Sequence, residues 1–261
     1  MTVQLDGFSV SAMTFDGETR DVYRRGSGPG VIVMHEVPGI TPTVARFARM
    51  VADAGFTVFA PTLFGTPGRR MTPLYAAGQL ARACVSRELR VFAANETSPI
   101  ISWLRALCAA AHAELGGPGV GAIGMCVTGN FALALMVDEW MMAPVLSQPS
   151  LPIGVTRSSN RGLHLSDEDL AVVKRRAAAG VPLLAMRFTH DPLCPGERFE
   201  RLREEVGPAL EAIEIDSSPG NAAGIPRTAH SVVTHHLVDE AGHPTRVALD
   251  RVLSFFAERL R

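Results

Sequence analysis

Short, largely apolar runs that do not alternate with polar residues constrain this chain most: Gly30–Met34, Phe56–Ala60, Val120–Ile123 and Pro182–Phe188. A strand with one wet face alternates, so a run that stays apolar residue after residue is a strand covered on both faces. Segments of helical period lie between them. Pro42–Ala54 lines up Val44, Phe47, Ala48, Val51 and Ala52 on one face and stops at Gly55. Pro73–Leu115 is mostly helical in pattern, with an interruption near Asn95–Pro99. Asn130–Val137 continues as a helix, Ser166 with Asp169 caps a helix that ends at Gly180, and Glu197–Val206 and Thr245–Leu260 are helical. Residues 3–24 read as short strands around a turn at Asp16-Gly17, and Ala143–Leu146 and Leu210–Ile215 as further strands. Alternating strands and helices predict an α/β fold: a mainly parallel, twisted sheet with helices on both faces. No repeat or shift of composition divides the chain, so residues 1–261 are expected to form a single domain.

The totals narrow the class of function. Lys and Arg number 25 against 26 Asp and Glu, with no basic face or acidic tail, which argues against nucleic acid and charged membrane surfaces as partners. The four cysteines, Cys84, Cys108, Cys126 and Cys194, show neither a CxxC pair nor zinc-ligand spacing. No apolar run is long enough to span a bilayer, and Met1–Gly17 lacks a signal pattern. The expectation is a cytoplasmic protein with no metal and no organic cofactor.

Gly124-Met125-Cys126-Val127-Thr128-Gly129 joins a buried strand to a helix. A nucleophile at such a junction is lifted above the sheet by a sharp turn, and small residues are expected two positions either side. Gly124 meets that need; Thr128 is larger than the usual glycine. In folds that use this elbow, the acid and the histidine follow the nucleophile along the chain. Asp191, in Thr189-His190-Asp191-Pro192, follows the strand Pro182–Phe188, and His230 follows the next strand after a long loop. His243, in Ala-Gly-His-Pro before the last helix, is the alternative base. His230 is preferred because it comes sooner after the final strand. His35-Glu36 ends the first buried strand at the carboxyl edge, where open α/β sheets bind ligands. Val-Pro-Gly follows, without the second histidine of a zinc-protease helix. Leu151–Gly162, rich in Pro, Gly and Ser, is a candidate lid.

With Val31–Gly39, Ala60–Phe64, the Gly-Met-Cys elbow and the Asp191 turn taken together, the chain resembles the dienelactone hydrolase family from about residue 30 to the final helix. The resemblance implies an α/β-hydrolase fold and a Cys126–His230–Asp191 triad that opens a small-molecule ester or lactone. It implies that Glu36 contacts the thiol and helps govern its ionisation. It also implies an oxyanion hole made by the backbone N–H groups of Val37 and Val127. Arg82, Arg87 and Arg90 fall where that family holds a substrate carboxylate. The chain departs from the pattern at His35, where glutamine is more usual, at Thr128, and in the long approach to His230 from Ser217 to Ala229.

Three other readings compete. Gly119–Gly124 spells G-x-G-x-x-G, but a dinucleotide fingerprint needs its glycines after the strand and here the strand lies inside the motif. A non-catalytic binding protein of the same fold would keep the architecture without the chemistry. An acyltransferase would keep the nucleophile and change the acceptor.

Overall fold

The computed structural model describes residues 3–85, 98–151 and 156–261. Eight strands among them form one sheet: β1 (Ser9–Phe15), β2 (Glu18–Arg25), β3 (Gly30–Met34), β4 (Thr57–Pro61), β5 (Val120–Met125), β6 (Met141–Ser147), β7 (Leu183–Phe188) and β8 (Leu210–Ile215). Their spatial order is β1-β2-β4-β3-β5-β6-β7-β8. The pairs β1/β2 and β2/β4 are antiparallel, and every pair from β4 to β8 is parallel.

Successive residues of the parallel strands feed two apolar layers. On β3, Ile32 and Met34 join one cluster while Val31 and Val33 join the other. On β7, Leu183 and Ala185 face the first cluster and Leu184, Met186 and Phe188 the second. This is why the runs do not alternate: both faces are dry. Helices α1 (Pro42–Asp53) and α8 (Pro244–Leu260) cover one face. Helices α3 (Pro99–Leu115), α4 (Gly129–Leu135), α6 (Asp167–Ala178) and α7 (Gly196–Val206) cover the other, while α2 (Pro73–Val85) and the single turn α5 (Arg157–Asn160) are peripheral.

Local chemistry starts the helices where expected. Thr41 Oγ1 accepts the Val44 N–H at 3.3 Å ahead of Pro42 in α1. Ser166 Oγ accepts the Asp169 N–H at 3.1 Å and opens α6, whose first turn holds Asp167, Glu168 and Asp169. No helix of the described residues is long and apolar enough to cross a membrane.

The registers place the strand ends level with one another. Met34 pairs with Gly124, Met125 with Ser147, Ser147 with Met186 and Phe188 with Ile215. The residues that follow β3, β5, β6, β7 and β8 therefore emerge along one edge of the sheet, which is where open α/β sheets build their sites. The G-x-G-x-x-G string resolves into packing. A Cβ on Gly119 would lie 2.3 Å from the Trp140 carbonyl oxygen, and one on Gly121 would lie 2.9 Å from the Phe256 ring. Val120–Met125 is strand throughout, so the string forms no phosphate-binding loop.

Candidate active site

β5 runs directly into a single 3-10 turn, Cys126–Thr128, and then into α4. Cys126 takes φ +55°, a left-handed conformation that costs a non-glycine residue roughly 1–3 kcal/mol. The turn is so tight that a Cβ on Gly124 would sit 2.0 Å from the Thr128 carbonyl oxygen. On the far side it is Gly129 that must be small, because its Cβ would lie 2.4 Å from Pro149 Cα.

Thr128, expected to fit poorly, is instead fully buried and knits the elbow to the sheet. Its Oγ1 accepts the Met125 N–H at 2.9 Å and has the carbonyls of Met34 (3.0 Å), Met125 (3.0 Å) and His35 (3.2 Å) within donating reach. The hydroxyl thus joins the end of β5 to the end of β3, which a glycine could not do.

Asp191 lies in the turn after β7, with its side chain buried. Its Oδ1 accepts the Leu193 N–H at 2.9 Å, and its Oδ2 accepts from His230 Nδ1 at 2.6 Å. Cys126 is close enough to His230 to act on its protonation. Burial acts to lower the pKa of His230. The electrostatic interaction with Cys126 and the hydrogen bond that His230 donates to Asp191 outweigh it and hold the imidazole well above its usual value. Ser150 Oγ, which donates to the Gln148 carbonyl at 2.8 Å, stands 3.4 Å from His230 Nε2. The structure therefore brings Cys126, His230 and Asp191 together across gaps of up to 104 residues, the separation of Cys126 from His230 in the numbering. His243, the alternative base, does not join them. It caps α8, with Nδ1 2.8 Å from Thr245 Oγ1 and accepting the Thr245 N–H at 3.3 Å.

Glu36 sits in a hydrogen-bond network of its own. Its Oε2 accepts from Ser231 Oγ at 2.7 Å and Gln148 Nε2 at 3.3 Å, and its Oε1 accepts from Thr234 Oγ1 at 2.5 Å. Among the described residues these are its hydrogen-bond partners, and the Cys126 thiol is not one of them. Two of the three belong to the loop that carries His230, so the buried carboxylate braces that loop. Gln148, at φ +35° after β6, also takes the Val232 N–H on its Oε1 at 3.4 Å.

His35 is structural. Its Nε2 accepts the Leu63 N–H at 3.0 Å, its Nδ1 donates to the Glu36 carbonyl at 3.0 Å, and Phe64 stacks edge-on at 4.4 Å. Burial drives its pKa down to about 4. The ring is a neutral rivet between β3 and the segment after β4.

Val37 follows Glu36 directly, and its N–H finds no acceptor among the described residues. Val127 is the second residue of the 3-10 turn, where the leading N–H groups have no acceptor within the turn. Arg82 lies near the end of α2 with its side chain outside the described residues, and Arg87 and Arg90 lie outside them altogether. Residues 152–155 of the candidate lid are likewise outside them. Both flanks of that segment are fastened by the buried Arg198, which donates to the carbonyls of Pro149 (2.5 Å), Ser159 (3.2 Å) and Gly162 (3.0 Å). No cluster of three or more metal-ligating side chains occurs among the described residues.

Ser231, Thr234, Gln148 and Ser150 were not singled out from the sequence. Their one signal is that polar residues directly follow a buried strand or flank a candidate histidine, and such residues are found in ordinary loops too.

Solved structures share this architecture. A dienelactone hydrolase-like promiscuous phosphotriesterase from metagenomic libraries aligns at TM-score 0.64 and 17% identity, over 97% of this chain and 98% of that one. A dienelactone hydrolase from Anabaena variabilis ATCC 29413 aligns at 0.60 and 14%, over 97% and 98%. A cold-adapted esterase from an Arctic intertidal metagenomic library aligns at 0.59 and 14%, over 99% and 97%. At these identities the likeness establishes the fold. No curated protein matches the sequence. The model of the dienelactone hydrolase family matches residues 20–260, nearly the whole chain, and the chain therefore belongs to the dienelactone hydrolase family of α/β-hydrolases.

Proposed function

We propose that this protein hydrolyses a carboxylic ester or lactone, with Cys126 as nucleophile, His230 as general base and acid, and Asp191 as the group that orients the imidazole. The observation that carries the reading is the 2.6 Å bond between Asp191 Oδ2 and His230 Nδ1 beside a cysteine at a left-handed strand-to-helix turn. A carboxylate on Nδ1 keeps the proton there and turns Nε2 toward the nucleophile.

In the first half-reaction the Cys126 sulfur, its proton passed to His230 Nε2, attacks the acyl carbon. The carbonyl π electrons move to oxygen, where the Val37 and Val127 N–H groups stabilise them by about 3 kcal/mol each. The C–O bond to the leaving alcohol breaks, and that oxygen takes the proton from His230. In the second half-reaction His230 removes a proton from water, the hydroxide attacks the thioester carbon, and the C–S bond breaks to release the acid, its electrons going to the Cys126 sulfur, which takes the proton back from His230. The balance is one ester and one water giving one acid and one alcohol; a lactone gives a single hydroxy acid. Glu36 enters this scheme through Ser231 and Thr234, bracing the His230 loop, instead of through the thiol.

The test is turnover of a small activated ester, a dienelactone and a phosphotriester by the wild type, Cys126→Ala and Cys126→Ser. The phosphotriester is included because one structural relative is described as acting on that class. Turnover of the ester or lactone that is lost in Cys126→Ala and blocked by a thiol alkylator supports the proposal. A folded Cys126→Ala variant with wild-type turnover would sink the mechanism. An alcohol or amine added to the assay, with product analysis, separates hydrolysis from acyl transfer.

A further inference from the structure

The ring of His236 makes contacts that the reaction scheme does not use. The segment from Val232 to His236 is turn, not strand, and the His236 N–H donates to the Ser231 carbonyl at 3.0 Å. This closure brings the His236 ring back against the residues just before it. Its Nδ1 accepts two backbone N–H groups at once, from His230 at 3.3 Å and from Ser231 at 3.1 Å. The same ring meets Phe188 edge to face, with centroids 5.9 Å apart. Phe188 is the last residue of β7, and its carbonyl accepts the Asp191 N–H at 3.3 Å. One imidazole therefore touches both the backbone that carries His230 and the strand end that carries Asp191.

We infer that His236 is a positioning residue: its unprotonated Nδ1 holds the His230 backbone where that side chain meets Asp191. The inference rests on the reading of His230 as the catalytic base. Two N–H groups converge on one lone pair, so Nδ1 carries no proton and the neutral ring has its hydrogen on Nε2. A protonated ring would aim a third N–H at the other two and release the loop. The surroundings keep the ring neutral. Burial comes first, followed by the neighbouring His235 and His230, and together they lower its pKa to about 4 against the opposing pull of Asp191. His235 lies edge-on at 4.9 Å, and the face toward Phe188 is apolar. The mechanical consequence follows from how sharply rate depends on placement, since displacing a catalytic group by about 1 Å costs on the order of 100-fold.

Three substitutions separate the acceptor from mere bulk. His236→Leu removes the acceptor, His236→Asn places Oδ1 near the position of Nδ1, and His236→Gln places its oxygen farther out, near Nε2. The expected result is a fall in kcat of about tenfold to a hundredfold in His236→Leu and His236→Gln with KM little changed. His236→Asn is expected to recover most of that loss. Proton NMR supplies a second readout, the low-field resonance of the His230 Nδ1–H in its short bond to Asp191. It should shift or broaden in the leucine and glutamine variants and persist in the asparagine one. His230→Ala, measured in parallel, tests the underlying reading. If it abolishes turnover while His236→Leu keeps wild-type kcat and the low-field signal, the positioning role is overturned and the base assignment stands. If His230→Ala keeps full turnover, the base assignment falls and this inference with it. Equal losses in the leucine and asparagine variants would assign the ring to packing and overturn the inference. Should His236→Leu not fold, the contrast between asparagine and glutamine carries the test.

Discussion

Replacing Thr128 by valine keeps the volume and β-branching of the side chain and removes only its hydroxyl. In the native elbow that hydroxyl takes the buried Met125 N–H at 2.9 Å and donates toward the carbonyls of Met34, Met125 and His35. Thr128 is fully buried, so no water is at hand to replace it. Leaving one buried N–H without a partner costs about 1–3 kcal/mol, and the lost donor about 1 kcal/mol more. We therefore expect Thr128→Val to be less stable by about 2–4 kcal/mol. For a chain of this size that lowers Tm by about 4–16 °C. Urea unfolding followed by circular dichroism measures the loss, and Thr128→Ser, which keeps the hydroxyl, should recover most of it. Activity should fall further than stability explains. The hydroxyl ties the turn in which Cys126 sits at φ +55° to the ends of β3 and β5, so its loss is expected to shift both the thiol and the Val127 N–H. An unchanged unfolding midpoint and slope in Thr128→Val would refute the reasoning, because the hydroxyl would then contribute nothing net.

Three further outcomes are expected. Gly124→Ala forces a Cβ to within 2.0 Å of the Thr128 carbonyl oxygen, so it should cost about 3 kcal/mol or more and sharply reduce soluble, cooperatively folding protein. Burial holds His35 at about 4 against 6.5 when unfolded, so between those values the unfolded chain binds the extra proton and stability falls as pH falls. The full loss is about 3 kcal/mol. Urea midpoints from pH 7 to pH 4 should drop less steeply in His35→Gln than in the wild type, and identical slopes would discount the histidine. Asp191→Asn removes the carboxylate that sets the His230 tautomer and should lower kcat by about 10⁴-fold with a near-normal fold, as measured by ester turnover beside circular dichroism.

Much of this architecture is legible in the sequence because it rests on local chemistry. Unbroken apolar runs such as Gly30–Met34 belong to strands with two dry faces. Thr41 followed by Pro42, and Ser166 ahead of three acidic residues, start helices by satisfying their first N–H groups. The elbow around Cys126 and the chain order of Cys126, Asp191 and His230 are legible for the same reason, since each follows a strand and strand ends carry sites.

Tertiary structure alone decided the rest. Both His230 and His243 precede the last helix, and the shorter spacing from the final strand only favours His230; the folded chain sends it to the Asp191 carboxylate and uses His243 to cap α8. Thr128 looked like a misfit when compared with glycine, yet its hydroxyl finds the ends of β3 and β5 only after those strands pair in register. Glu36 meets Ser231 and Thr234 across almost 200 positions of sequence, and His236 turns back onto the backbone of His230. Strands and caps follow from the few residues around them, so a sequence window contains their cause. The partner of a buried polar side chain is whatever group the whole fold delivers within about 3 Å, and no window of sequence contains that.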